Sequence, residues 1–405
     1  MLRIPDAFKD AFQPEHRMRS ILIAIILALS SAFFVGYFYY SSAKDLNSND
    51  FFVFWAAGRF LQDNALAGAY DPATFYAFER SLGVHSQGGL PFVYPPHAAL
   101  IFKPLADLPF FAALVVWDVL SLAVYLAGAW QVFRPRSLAM FAALIAPSTV
   151  GNLIYGQTGL LTGGLTILGF SLLKRSPILS GVAFGLLSIK PQFAALPLLV
   201  LLLSGNRKAA LAAAVTILLL VLASLAAFQA GDWVDWMETL SGFSTAFSAS
   251  SWHYQQGITV YFTLLNLGVS RHLAIAIQGL VSLLVLWQLV HILRRDGGPL
   301  AIMAALIGVF LTTPYALIYD LPVVSAVCLM LIAVGFRGGF RDGELLIIAA
   351  AWCLPLILIA TDGGNPALAL CALVGLFALI LRRIKTQMPR AAAGGTVQAL
   401  SLIHI

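Results

Sequence analysis

The chain has 405 residues, of which 60% are hydrophobic and 10% charged, with a mean hydropathy of +0.88; soluble domains carry about 25% charged residues. This balance excludes a water-soluble enzyme, a disordered segment and a fibrous protein, and it places the chain among polytopic all-α membrane proteins. The net charge of +6 is spread over the ends of apolar runs rather than gathered in a patch, so nucleic acid is not an expected partner.

In chain order, apolar runs lie near 20–40, 109–133, 137–150, 158–173, 177–189, 192–204, 209–229, 272–293, 298–314, 321–336, 344–360 and 366–383, which predicts about 12 transmembrane helices. Several runs fall short of the ~20 residues that cross a bilayer. Their connections are therefore expected to dip into the membrane under the cover of protein. Residues 1–19 form an amphipathic cytoplasmic segment. The run 20–40 has no evident small-residue cleavage site and reads as an uncleaved first helix. Residues 384–405 read as a cytoplasmic tail, whose last stretch, Leu400 to Ile405 with His404, resembles translated sequencing-adapter read-through and is expected to be artefactual.

Basic residues set the orientation, because short cytoplasmic loops collect Lys and Arg. With the N-terminus inside, Arg3, Lys9, Arg17 and Arg19, then the pairs Arg134 and Arg136, Lys174 and Arg175, Arg207 and Lys208, Arg294 and Arg295, and Arg337 and Arg341, and finally Arg382, Arg383, Lys385 and Arg390, all fall on the cytoplasmic face. Lys44, Arg59, Arg80, Lys103, Lys190 and Arg271 are left for the exported side. Both termini are thus expected in the cytoplasm of a bacterial inner membrane. Cys328, Cys353 and Cys371 sit in apolar runs without metal or disulfide spacing.

Two exported loops are long, 41–108 and 230–257, so the working face is expected outside. In the first, Asn49 and Asp50 start an apolar, aromatic helix that continues to about Leu61 and is expected to lie along the interface. A second helix is predicted from Pro72 to Leu82, followed by Gly88, Gly89 and the stiff segment Phe92–His97, which together make a folded cap. Polar residues break the apolar hairpins at a similar depth: Asn152, Tyr155, Gly156 and Gln157; Lys190 and Pro191; and Pro314, Tyr315, Tyr319 and Asp320. A charge at the bilayer centre costs about 2.5–3.5 kcal/mol on insertion scales, so Lys190 and Asp320 are expected to face a polar cavity or each other.

This ordered set resembles glycosyltransferase family 87: an acidic residue opening an interfacial helix after the first span, then Tyr70-Asp71, Tyr94-Pro95-Pro96, Gly156-Gln157, Lys190-Pro191 and Pro314. The family belongs to the GT-C superfamily and includes polyprenol-phosphate-mannose-dependent alpha-1,2-mannosyltransferases. The resemblance runs from about residue 20 to 383 and implies a GT-C fold. It also implies transfer of a sugar, usually with inversion, from a polyprenyl-phosphate carrier to an exported glycolipid or glycan acceptor, with Asp50 as general base. Thr313-Pro314-Tyr315 stands where mannosyltransferases of the family carry a Ser-Pro followed by Trp and His, so mannose is a family expectation.

Such a transfer needs a carboxylate to take the acceptor proton, groups that stabilise the departing phosphate, and polar groups that orient the sugar. Asp50 is the candidate base; as a helix-start residue it is equally suited to capping, and Asp320 is the alternative base. Lys190 is the candidate phosphate ligand, with pairing to Asp320 the competing role. Gln157 and Asn152 are candidates for sugar hydroxyls, and Tyr94, His97, Tyr315, Tyr319 and Asp320 for further substrate contacts. Ser251, Trp252, His253, Tyr254, Gln255 and Gln256 combine stacking surfaces with amides and an imidazole, which makes His253 and Gln255 candidates as well. No DxD-like pair or HExxH points to a divalent metal, and no cofactor is expected, the lipid-linked sugar being a substrate. Without a P-loop a nucleotide-driven pump is not indicated. A transporter or flippase for a lipid-linked sugar, and a non-catalytic envelope scaffold, are the competing functions.

Overall fold

The computed structural model describes residues 29, 30, 32, 49–83, 91–133, 136–249, 257–295, 297–360 and 365–392. The predicted span 20–40, apart from three residues, and the candidates His253 and Gln255 lie outside the described residues, as do Gly88, Gly89 and Leu400–Ile405. The described chain is helical, with one isolated antiparallel bridge between Gly257 and Leu317.

The cap consists of α1 (Phe51–Asp63), α2 (Ala67–Tyr70), α3 (Pro72–Ser81) and α4 (Pro96–Leu105). The bundle follows as α5 (Phe110–Val132), α6 (Arg136–Ile145), α7 (Pro147–Tyr155), α8 (Gly159–Leu172), α9 (Pro177–Leu186), α10 (Pro191–Leu203) and α11 (Arg207–Ala227). The chain then returns over the cap as α12 (Asp232–Ala249), adds the short α13 (Val260–Asn266), and completes the bundle with α14 (Arg271–Arg295), α15 (Pro299–Thr312), α16 (Pro322–Gly338), α17 (Glu344–Trp352), α18 (Leu354–Ala360) and α19 (Pro366–Ala392). Proline opens many of these helices, where its missing N–H is one the helix leaves unpaired anyway and its fixed φ is already helical.

Helix length divides the bundle. Among the described residues only α5, α11, α14 and α19 are long and apolar enough to cross a membrane, and α6 with α7 makes a fifth crossing if the bent pair is one span. The expectation of about 12 spans is therefore met only in part. Hydropathy registers an apolar run whatever its geometry: α8, α15 and α16 are largely enclosed by other helices, whereas α10 keeps Leu199, Leu202 and Leu203 exposed. Ala301, Ala304, Ala305, Leu306 and Ile307 of α15 and Val324, Ala326 and Val327 of α16 have no accessible surface. The run 137–150 is bent by 48° between Ile145 and Pro147, where proline removes a backbone donor and clashes with the preceding turn. The run 344–360 is divided at Cys353.

The long helices face outward. On α11, Leu211, Val215, Leu218, Leu222 and Leu225 form an exposed stripe, and Leu273, Leu280, Leu284 and Trp287 do the same on α14. Such continuous apolar surface is tolerated in hydrocarbon and not in water. The cap has its own aromatic core: Phe54 stacks on Phe102 at 4.6 Å and lies 6.0 Å from Trp117 of α5, which ties the cap to the bundle.

The two ends of the bundle differ in chemistry. At one, Arg294 donates to the Leu203 carbonyl, Arg341 to that of Arg382 at 3.3 Å, and Arg383 pairs with Glu344. At the other lie the starts of α8, α10 and α16 and the end of α15, and there the cap is seated.

Candidate active site between cap and bundle

Asn49 sets the first relationship. Its side-chain oxygen accepts from Phe51 N at 2.8 Å and its amide donates to the Ile154 carbonyl at 2.7 Å. This side chain serves the start of α1 and anchors it to the end of α7. Asp50, the N-cap residue, makes no side-chain capping bond. Its Oδ2 instead accepts from Gln157 Nε2 at 3.0 Å. Burial pushes the Asp50 carboxyl from the usual carboxylate range up to about 6, the Gln157 hydrogen bond partly opposing it.

Gln157 can reach Asp50 because the chain turns sharply between α7 and α8. Gly156 closes α7 in the left-handed region at φ 62°, and a Cβ there would lie 2.5 Å from that of Phe51. The carbonyl of Gly156 accepts from the Trp117 indole at 2.9 Å. Gly159, at the start of α8, lies against the Tyr319 carbonyl, which a Cβ would approach to 2.0 Å. Asn152 completes this seam: its amide donates to Tyr319 O at 2.9 Å and its oxygen accepts from Leu160 N at 3.3 Å. Asn152 is buried, and both its bonds join helix ends.

Lys190 and Asp320 meet at 2.5 Å, both almost fully buried. The second carboxylate oxygen of Asp320 accepts from Leu317 N at 3.1 Å. The ammonium also lies 4.9 Å from the Phe193 ring centroid and 5.0 Å from that of Tyr319. Of the two roles open to Lys190 in the sequence, the structure places it in the ion pair; of the two candidate bases, Asp320 is the one already neutralised.

Tyr94 joins the halves. Its hydroxyl lies 3.1 Å from that of Thr158, and its carbonyl accepts from the Tyr70 hydroxyl at 2.8 Å. Burial, and to a lesser extent the charges of Asp320 and Asp50, raise its phenol above the ordinary range, the Thr158 hydrogen bond partly opposing them. Tyr315 packs edge-on against Phe262 at 5.6 Å. His97 sits one turn further along the cap, Nε2 3.2 Å from Ser188 Oγ and its ring stacked on Trp233 at 5.7 Å. Burial lowers it to about 4, which leaves it neutral near pH 7.

Asp50, Gln157, Asn152, Tyr94, Lys190, Tyr319 and Asp320 are thus brought to one seam, with His97 beside it. Thr158, Ser188 and Trp233 are additions that the sequence reading passed over. Thr158 directly follows the Gly156-Gln157 break, and Trp233 with Trp236 has the i, i+3 spacing of one helix face.

Residues 92–319 match the model of glycosyltransferase family 87, a span that opens just before Tyr94 and closes at Tyr319. Asp50 precedes it, so its place in the seam rests on geometry. A polyprenol-phosphate-mannose-dependent alpha-(1-2)-phosphatidylinositol mannoside mannosyltransferase from Mycobacterium tuberculosis is 29% identical over 246 residues, 54% of this chain and 57% of that protein. The match thus spans little more than half of the relative's length. No solved structure gives a significant match. With more than half its length matched by the family model, and the polar breaks at residues 152–157, Lys190 and residues 314–319 inside that match, the chain belongs to glycosyltransferase family 87.

Proposed function

We propose that the chain is an integral membrane glycosyltransferase that moves a sugar from a polyprenyl-phosphate donor to an extracytoplasmic acceptor, with Asp50 as general base. Mannose is the donor sugar and a glycolipid or glycan the acceptor, by likeness to the mycobacterial relative. In this reading the fold is of the GT-C type with about 12 spans, the basic end of the bundle and both termini face the cytoplasm of a bacterial inner membrane, and the cap lies outside.

The observation that carries the proposal is the state of Asp50. Asn49 satisfies the start of the helix, so the Asp50 carboxylate is free of capping, held by one amide, and raised to about 6. A base with that affinity is mostly ionised at neutral pH yet takes a proton more readily than an ordinary carboxylate. In the reaction the acceptor hydroxyl gives its proton to Asp50 as its oxygen attacks the anomeric carbon. The bond from that carbon to the phosphate oxygen breaks on the opposite face, and polyprenyl phosphate leaves with the electron pair. Gln157 orients the carboxylate. Lys190 and Asp320 brace the Tyr319 turn against the start of α10, and Asn152 fixes the same turn to α8. Tyr94, Tyr315 and His97 line the approach.

The test is reconstitution in vesicles with radiolabelled polyprenyl-phosphate mannose and a mannoside acceptor. Label on the acceptor supports transfer; label that changes leaflet while still on its carrier supports a flippase instead.

A further inference from the structure

Above the seam, the cap and α12 enclose a cleft of about 610 Å³ that no step of the transfer uses. This volume lies in the range of small-molecule sites, about 300–1,000 Å³. Its principal walls are Tyr70, Asp71 and Tyr76 from the cap and Asp235, Glu238 and Thr239 from α12. Carboxylates only accept hydrogen bonds, and they stand here beside the half-buried ring of Tyr76. That pairing matches a saccharide, whose hydroxyls donate and whose C–H face packs on a ring. An anionic ligand would meet three carboxylates. Among the described residues no three His, Cys, Asp or Glu side chains come close enough to hold a metal ion, so the acidic groups border a wide cleft rather than a cation cage.

The cleft is wired to the reaction seam. Thr239 donates to the Tyr70 carbonyl at 2.7 Å, and the Trp236 indole to that of Val93 at 3.1 Å, which docks α12 on the stiff segment before His97. The Tyr70 hydroxyl donates to Tyr94 O, and the Tyr94 hydroxyl meets Thr158, next to Gln157 and Asp50. Burial, then Asp232 and Asp235, keep the Tyr70 phenol protonated, as a donor must be.

We propose that this cleft binds the neutral saccharide chain of the acceptor, away from the hydroxyl that receives the new sugar. The proposal rests on the glycosyltransferase reading and deepens it. Acceptors with several sugars would engage both the seam and the cleft, whereas a single sugar would reach the seam alone.

The test uses the full chain in nanodiscs and α-mannotriose as probe, with fully deacetylated chitotriose as its cationic counterpart. Binding is followed by calorimetry, and transfer by kcat/KM for mannotriose against methyl mannoside. Tyr76→Ala and Glu238→Ala are expected to weaken mannotriose binding about tenfold and to lower kcat/KM for mannotriose more than for methyl mannoside. Arg80→Ala, on the same helix and outside the cleft, serves as the control and is expected to match the parent. Mannotriose binding that ignores both cleft substitutions, or binding of chitotriose alone, overturns the proposal. Tyr76-dependent mannotriose binding by a protein that transfers no label would leave the cleft standing and remove the transferase reading, so the two failures are told apart.

Discussion

Gln157 donates a 3.0 Å hydrogen bond to Asp50 across 107 positions of chain, joining the turn between α7 and α8 to the first residue of the cap. The bond orients the carboxylate and opposes the rise in its proton affinity that burial causes. A pH dependence follows. Asp50 acts in its ionised form, so activity rises with pH through an apparent value near 6 and is lost below it. Gln157→Met removes the opposing interaction, and the acidic limb of the kcat/KM profile should move to higher pH. A profile unchanged by Gln157→Met would separate that limb from Asp50.

The Lys190–Asp320 pair is a buried brace. Removing one member of such a pair leaves an uncompensated charge and typically costs about 3–5 kcal/mol, whereas replacing both is often near neutral. Lys190→Met and Asp320→Asn, each alone, should lower the thermal inactivation temperature sharply, and the double variant should recover most of it. If Lys190 serves chiefly as a phosphate ligand, the double variant would regain stability without activity.

Gly159 allows α8 to lie against the Tyr319 carbonyl. Gly159→Ala must push the two apart, and overpacking of this kind costs about 1–3 kcal/mol. The Tyr319 turn carries Asp320 and receives Asn152, so reduced activity should accompany the reduced stability. Gly205→Ala is a useful comparison: Gly205 has a positive φ but nothing within 4 Å of its would-be Cβ, so it should lose some stability without losing activity beyond it.

His97 is buried with Nδ1 unbonded within the protein and Nε2 on Ser188. Its ring is held low, at about 4, so it stays neutral over the range in which Asp50 titrates. His97→Asn should therefore leave the position of the acidic limb near pH 6 unchanged, while the amplitude falls through lost packing on Trp233. A shift of the limb in this variant would make His97 the titrating group.

Much of the seam was legible in the sequence because charge and amide groups are rare in an apolar chain, and each interruption has to be satisfied. Asp50, Gln157, Asn152, Lys190 and Asp320 stood out on that ground. Their partners did not. Lys190 and Asp320 are 130 residues apart, and only the packing of α10 and α16 around α15 decides that they meet each other. The division of labour between Asn49 and Asp50 was hidden too, since both residue types cap helices and the choice depends on where α7 ends. Hydropathy found the apolar runs and their short lengths but not the bend at Pro147. The first and third cap helices were legible from their start residues, whereas α12 reads as loop because it is polar, yet Trp236 on it packs against the aromatic core of the cap.

The most direct measurement is sugar transfer by Asp50→Asn, with binding of the polyprenyl-phosphate donor followed in parallel. General-base catalysis contributes about 10²–10⁴-fold. Transfer should therefore fall by at least about 100-fold while the variant folds and binds donor as the parent does. An Asp50→Asn protein that transfers sugar at the parental rate, with Asp320→Asn inactive though folded, would contradict the assignment and move the base to Asp320.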